Sequence, residues 1–374
     1  MRILHISSAR ALGGGERHLA DLANALATRG HDVHVALAPH SPLREKLSAL
    51  PALNLHTLPL RNALDVPSAR GLARLVRDAG IEILHGHMAR DYPLCSYAAG
   101  RSRSARLIIT RHVLFPLNRL HAFTLSRVAR VIAVSHGVAR SLRQQRIFPD
   151  AKISVIHNGI ETGRFEAESR SLDGEEFRRR LSPDAHGRLL VGTIGELKEL
   201  KGQEEFLRAA ALLAPRFPTA DFIIAGEDFS RTGEERARIE RLIAELGLQS
   251  RVYLTGWLDD VAPLLGALDL FVSASRSESF GLAIVEAMAS GLGVVATATE
   301  GARETVEDGV SGLLVAVGDA EALAQQIARL LEDREARARL GERARQLARE
   351  RFSLEHMVSA TEQIYREALE SMQE

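Results

Sequence analysis

Chemistry is densest in SASRSESFGLAIVEAMASG, Ser273–Gly291 of the 374 residues. The stretch leaves an apolar strand, passes Glu278 in a polar turn, and reaches Gly281, where the pattern predicts the start of a helix. The first amides of such a helix, around Phe280 to Ala283, have no partner within it and carry partial positive charge, which suits a diphosphate. Glycine at the turn lets an anion come close. Glu286 follows Glu278 by eight positions, at most about 12 Å of helix rise, comparable with the span from a sugar ring across a diphosphate to a ribose. One carboxylate could then hold each end of such a ligand.

Other phosphate-binding signatures are absent from the sequence. There is no G-x-G-x-x-G after a strand, no G-x-x-x-x-G-K-[ST] loop and no D-x-D to hold a metal-bound nucleotide sugar. Phosphate is left to backbone amides and isolated cations, without metal. His85 and His87 lack nearby carboxylate or thiol ligands in sequence and are read as no metal site. Cys95 is the only cysteine, which excludes an internal disulfide and a Cys/His zinc framework and points to a reducing compartment, while the 14 histidines leave a His/carboxylate metal site open. Trp257 and Phe280 are read as packing residues rather than base-stacking ones.

The elements that must position these groups alternate along the whole chain. Apolar strands are predicted at Met1–Ser7, Asp32–Leu37, Glu82–His85, Arg106–Thr110, Arg130–Val134 and Lys152–Ile156, with helical patterns between them. After a linker at Glu161–Phe165 the alternation resumes, with strands at Leu189–Ile194, Asp221–Ala225, Arg251–Leu254, Leu270–Ser273, Gly293–Ala296 and Gly312–Val315. Strand, helix, strand with short connections builds parallel sheets, so the fold class is α/β with two doubly wound domains. Ligand sites of such sheets lie at the carboxyl ends of the strands, which makes a cleft between the domains the default active site. From Ala320 onward the pattern is helical.

Composition is that of a globular chain, 45% hydrophobic and 26% charged, with a net charge of zero. The charge is divided unevenly. Residues 1–165 carry 23 Lys and Arg against 10 Asp and Glu, and the remainder 25 against 38. Arg70, Arg74 and Arg77 fall on one predicted helix, and Arg101, Arg103 and Arg106 follow, giving a basic face suited to an anionic membrane surface. No uncharged apolar run reaches the roughly 20 residues that span a bilayer. The N-terminus lacks the longer apolar run of a signal peptide. The expected location is cytoplasmic, with peripheral attachment at the inner face of the membrane; nucleic acid is not an expected partner.

The E-x7-E of Glu278 and Glu286, with GGGER at Gly13–Arg17 and VIHNGIE at Val155–Glu161, resembles glycosyltransferase family 4, the retaining group 1 enzymes. AVS at Ala133–Ser135, GLLV at Gly312–Val315 and RFSLEHM at Arg351–Met357 extend the resemblance over nearly the whole chain. It implies a GT-B fold, two Rossmann-like domains facing a central cleft. Residues 1–165 would be the acceptor domain, residues 166–351 the nucleotide-sugar donor domain, and helix 352–374 would cross back to the first. The implied reaction moves a sugar from a nucleotide-diphosphate donor to a glycan or lipid-linked acceptor, with retention and without metal or other cofactor. By position, Glu278 would bind the sugar hydroxyls, Glu286 the ribose, and the amides of Gly281 and Leu282 the β-phosphate, next to Phe280. Lys201, in GELKELKG, would neutralise the departing diphosphate. Gly14 and Gly15 would let the first loop approach the donor, and His112, in TRHV, would face the transferred sugar.

The chain departs from that pattern at Glu196, where the family commonly has arginine, and at Glu300 and Gly293. A like charge about 4 Å from the diphosphate costs on the order of 1 kcal/mol in water and up to about 4 near a protein surface. Glu196 therefore points away or is compensated, with Arg111, Lys198 and Arg303 as candidates and Arg303 the expected one. Two alternatives stay open: a nucleotide-sugar epimerase of similar fold, and a catalytically impaired nucleotide-sugar-binding relative.

Overall fold

The computed structural model describes residues 1–102, 104–117, 121–168, 172–181, 187–230 and 232–371. These divide into two compact units, Met1–Gly159 with Leu354–Glu374, and Ile160–Ser353. Arg103, in the basic stretch above, lies outside the described residues.

The first unit holds a seven-stranded sheet of β1 (Arg2–Ser7), β2 (Asp32–Leu37), β3 (Leu55–Thr57), β4 (Ile83–Gly86), β5 (Arg106–Arg111), β6 (Val128–Ala133) and β7 (Ile153–Val155). Its order is β3-β2-β1-β4-β5-β6-β7 with every pair parallel. The second holds a six-stranded sheet of β8 (Leu189–Ile194), β9 (Ala220–Ala225), β10 (Val252–Gly256), β11 (Leu270–Ser273), β12 (Gly293–Thr297) and β13 (Leu313–Val315). Its order is β10-β9-β8-β11-β12-β13, again parallel throughout. Central strands such as ILHG, LFVS and GVVAT are buried along their whole length, as expected when helices cover both faces of a parallel sheet. In each sheet the strand order reverses beside the first strand, at β1/β4 and at β8/β11, which are the positions where doubly wound sheets bind ligands.

Helix Leu354–Glu370 belongs to the first unit. Met357, Val358, Ile364, Tyr365 and Ala368 share a core with Leu19, Leu22 and Leu26 of helix Gly14–Thr28. Glu362 accepts from Arg29 at 2.9 Å and from His31 at 2.7 Å, fixing the helix along its length. Among the described residues no helix is long and apolar enough to cross a membrane.

One strand lies outside the predicted set, and one local expectation is corrected. Strand β3 lies within PALNLHTLPL, where two prolines interrupt the apolar residues; only three residues extend along the edge of β2. Glu161–Phe165 is not a linker, because helix Thr162–Glu168 starts there. Ile160 N–H donates to the Phe352 carbonyl at 2.9 Å and Phe165 is buried, so this segment is anchored within the second unit.

Candidate functional site

In the second unit, the loops leaving β8 and β11 meet at the point where the strand order reverses. The β8 loop runs through Gly195 and Glu196 into a 3-10 turn, Glu199–Lys201, before helix Gln203–Leu213. The β11 loop carries Glu278. Lys201 Nζ donates to Glu278 Oε2 at 2.6 Å, so the two residues singled out in sequence 77 positions apart are in direct contact.

The loops are clasped by residues that the motif did not indicate. Arg276 N–H donates to the Leu200 carbonyl at 2.9 Å, and its guanidinium reaches Glu199 at 2.5 Å and the buried Glu205 at 2.6 Å. Thr297, at the end of β12, donates to the Ser275 carbonyl at 2.5 Å. Gly202 is required by geometry: its φ is +67°, and a Cβ there would lie 1.9 Å from the Ala274 carbonyl oxygen. That close approach seats Lys201 against the end of β11.

Helix Leu282–Ala289 starts one residue after Gly281, which has φ +96° and ψ 58° and provides no side-chain cap. Leucine, alanine, methionine and glutamate favour the helix, and Gly291, at φ +75°, ends it. Its first intrahelical bond runs from Val285 N–H to the Gly281 carbonyl at 3.1 Å. The amides of Leu282, Ala283 and Ile284 therefore have no acceptor inside the helix. Leu282 and Ala283 are only partly buried, whereas Glu286, one turn further, is 2% exposed. A cation, a carboxylate and a helix N-terminus thus stand at one sheet edge, an arrangement that can hold a phosphate between polar flanks.

Glu196 is compensated by Lys198, whose Nζ lies 2.6 Å from Glu196 Oε2. The expectation for Arg303 is corrected: its Nε donates to the Ala298 carbonyl at 3.0 Å. Residues two apart in an extended stretch share a face, and Lys198 has extended φ and ψ of −152° and 145°, so the nearer cation serves. Phe280 is buried edge-on against Phe352 at 5.5 Å, a packing role. Trp257 differs from the packing expectation in being 41% exposed, touching Phe229 edge-on at 5.4 Å.

In the first unit, Gly14 and Gly15 open helix Gly14–Thr28. A Cβ on Gly15 would contact the His112 ring at 3.5 Å, so the glycine loop and His112 are neighbours. His112 follows β5, and it is part of a group that sequence spacing did not reveal. His5 on β1 and His85 on β4 are register partners, His87 follows β4, and His18 faces them from the helix. His87 Nε2 lies 3.0 Å from His5 Nδ1. His85 bonds the Tyr365 hydroxyl at 2.6 Å and the Thr110 hydroxyl at 2.7 Å. Burial in this apolar setting pushes His5 down to about 3 and His18 down to about 4, and holds His85, His87 and His112 well below the usual histidine range. Only the strand register and helical phase bring these five rings together.

Residues 12–164 match the family model for Glycosyltransferase Family 4, and residues 175–347 match that for Glycosyl transferases group 1. The lipopolysaccharide core biosynthesis mannosyltransferase LpsB of Rhizobium meliloti is 30% identical over 65% of this chain and 67% of its own. The chain belongs to glycosyltransferase family 4, the group 1 glycosyltransferases. A second relative, the N-acetyl-alpha-D-glucosaminyl L-malate synthase of Bacillus anthracis, is 28% identical over 96% of this glycosyltransferase and 95% of that protein. In fold, the glycosyltransferase is similar to Anabaena Alr3699/HepE, solved in complex with UDP and glucose. That likeness has a TM-score of 0.84 and 24% identity, and covers 97% of this chain and 98% of that one. The two parallel sheets are those of the GT-B fold.

Proposed function

We propose that this glycosyltransferase transfers a sugar, with retention of anomeric configuration, from a nucleoside-diphosphate donor held by the second unit. The carrying observation is the Lys201–Glu278 pair beside the N-terminus of helix Leu282–Ala289. The amides of Gly281 and Leu282 take the β-phosphate, Glu286 the ribose hydroxyls and Glu278 the sugar hydroxyls. Lys201 then exchanges Glu278 for the diphosphate as charge develops on the leaving group, the stage at which a preorganised cation contributes most. Charge neutralisation by Lys201 and the amides replaces a metal at the diphosphate. Gly14, Gly15 and His112 keep the donor-facing roles that the family resemblance assigns to them. Glu196 pairs with Lys198, which supports an active enzyme over an impaired one.

The donor class is supported by the UDP and glucose present in the HepE structure. For the acceptor, LpsB is named for lipopolysaccharide core biosynthesis and the Bacillus enzyme for L-malate; we infer a glycan or lipid-linked one. Incubation with a panel of UDP-, GDP- and ADP-sugars tests this reading. Expected is acceptor-dependent release of one nucleoside diphosphate that survives EDTA. Interconversion of the donor sugar without acceptor would support an epimerase instead, and loss of turnover in EDTA would overturn the metal-free mechanism.

Arg70, Arg74 and Arg77 are exposed on helix Val66–Asp78, supporting attachment to anionic lipid. Each basic residue near such a surface contributes about 1 kcal/mol, so replacing all three with glutamine is expected to weaken sedimentation with phosphatidylglycerol vesicles on the order of 100-fold. Equal sedimentation of the variant, or insensitivity to salt, would overturn it.

A further inference from the structure

We propose that, while no donor is bound, His18, His87 and His112 form a binding site for a divalent transition-metal cation of the zinc class, which competes with the donor-facing role of His112. Each offers one ring nitrogen, and the three nitrogens lie within 4.8 Å of one another. Around an ion with bonds of 2.0–2.1 Å, tetrahedral ligand nitrogens stand about 3.4 Å apart. His87 Nδ1 and His112 Nε2 are already 3.5 Å apart, too long for a strong hydrogen bond and close to that spacing. His18, within 4.8 Å of both, reaches the spacing of about 3.4 Å by a ring movement of at most about 1.4 Å.

The bonding of the rings supports this choice of atoms. His18 is 3% exposed and neither of its ring nitrogens completes a hydrogen bond, although Asn158 approaches it. Buried polar atoms are ordinarily satisfied, and Asn158 can serve only one of the two His18 ring nitrogens, which leaves the other open to an ion. With Nδ1 of His87 as a ligand, its Nε2 carries the proton and donates to His5 Nδ1 at 3.0 Å. That is the outer hydrogen bond which commonly orients a metal-bound imidazole. The neighbouring trio of His5, His85 and His87 is less suited, because both nitrogens of His85 are engaged by Tyr365 and Thr110. His112 is only partly buried, giving an ion a way in and leaving a fourth position for water or an anion. Neutral imidazoles select Zn²⁺, Co²⁺, Ni²⁺ or Cu²⁺ over Mg²⁺ or Ca²⁺.

The test uses Co²⁺ as probe, added to the untagged full chain at neutral pH after dialysis against EDTA and its removal. One equivalent is expected to bind with the visible ligand-field absorption of a nitrogen-rich, low-coordinate site, and Zn²⁺ should displace it. His18→Leu should weaken binding by about 100-fold or more, with circular dichroism checking its fold. The exposed His136 and half-exposed His157, with ring centroids 5.7 Å apart, form the competing surface site. The variant with both changed to asparagine should bind Co²⁺ as the native chain does. Absence of the absorption, unchanged binding in folded His18→Leu, or its loss in the His136/His157 variant would each overturn the proposal. The last outcome remains decisive even where His18→Leu does not fold.

Discussion

Replacing Lys201 with alanine is expected to lower kcat by about 10² to 10³-fold, the usual effect of removing one preorganised group that stabilises developing negative charge. Stability should hardly change. In the free enzyme the Lys201–Glu278 pair is partly solvated, with side chains 32% and 18% exposed, and ion pairs of that kind contribute at most about 1 kcal/mol. The lysine therefore matters little until a diphosphate departs. Lys201→Arg should recover only part of the rate, since a planar guanidinium cannot put its charge where the compact ammonium sits. Steady-state kinetics together with a denaturant melt check this. A Lys201→Ala enzyme that loses stability in proportion to activity, or retains full kcat, would assign Lys201 to holding the loop rather than to the leaving group.

Acid should destabilise the first unit steeply between about pH 6.5 and pH 4 in metal-free buffer. The His5 and His18 rings titrate near 3 and 4 when folded, against an ordinary value of 6.5. Across that window the unfolded chain binds protons that the folded chain refuses, so stability falls as pH falls. Each such ring contributes a slope of about 1.4 kcal/mol per pH unit. His5 and His18 alone then remove roughly 3 kcal/mol between pH 6.5 and 5, the slope reaching its full value only below the unfolded value, a large part of an ordinary domain's 5 to 15 kcal/mol. His85, His87 and His112 shift in the same direction. Glu16 and Asp91 oppose them: burial raises both carboxyls, so the stability they contribute is greatest in acid and is lost as pH rises. Five rings against two carboxyls leave the histidines dominant. Thermal melts at pH 7, 6 and 5 should show a falling midpoint; a flat profile would mean that the rings are solvated.

The donor side of the site is largely legible in the sequence because it is local. Glu278, Gly281 and Glu286 lie within one strand-turn-helix unit, so helical rise and the position of the glycine place them relative to one another. Lys201 came from the resemblance, and its contact with Glu278 depends on the adjacency of β8 and β11, which strand alternation implies but does not prove. Side-chain choices beyond the backbone were less accessible. Arg276 reads as an ordinary polar residue of the turn until Glu199 and Glu205 are brought beneath it, and the preference for Lys198 over Arg303 is decided by the extended turn. The histidine group was hidden more completely. Its members come from β1, the first helix, β4 and the end of β5, so no spacing along the chain foretells that they share one buried space. Most strands follow from apolar runs between turn residues, whereas β3 is too short for such a pattern and exists through its pairing with β2.

The most direct measurement is a thermal-shift panel of UDP, GDP, ADP, CMP and NAD on the native chain and on Glu286→Ala. A nucleotide at 100 times its dissociation constant adds about 2.7 kcal/mol, roughly 5 to 10 °C for a domain of this size. One nucleoside diphosphate is expected to give that shift. The variant, lacking a charged acceptor for the ribose worth about 1.5 to 3 kcal/mol, should need 10 to 100 times more of it. A chain that responds to none of them, or a Glu286→Ala variant that responds as the native chain does, would contradict a donor site built on helix Leu282–Ala289.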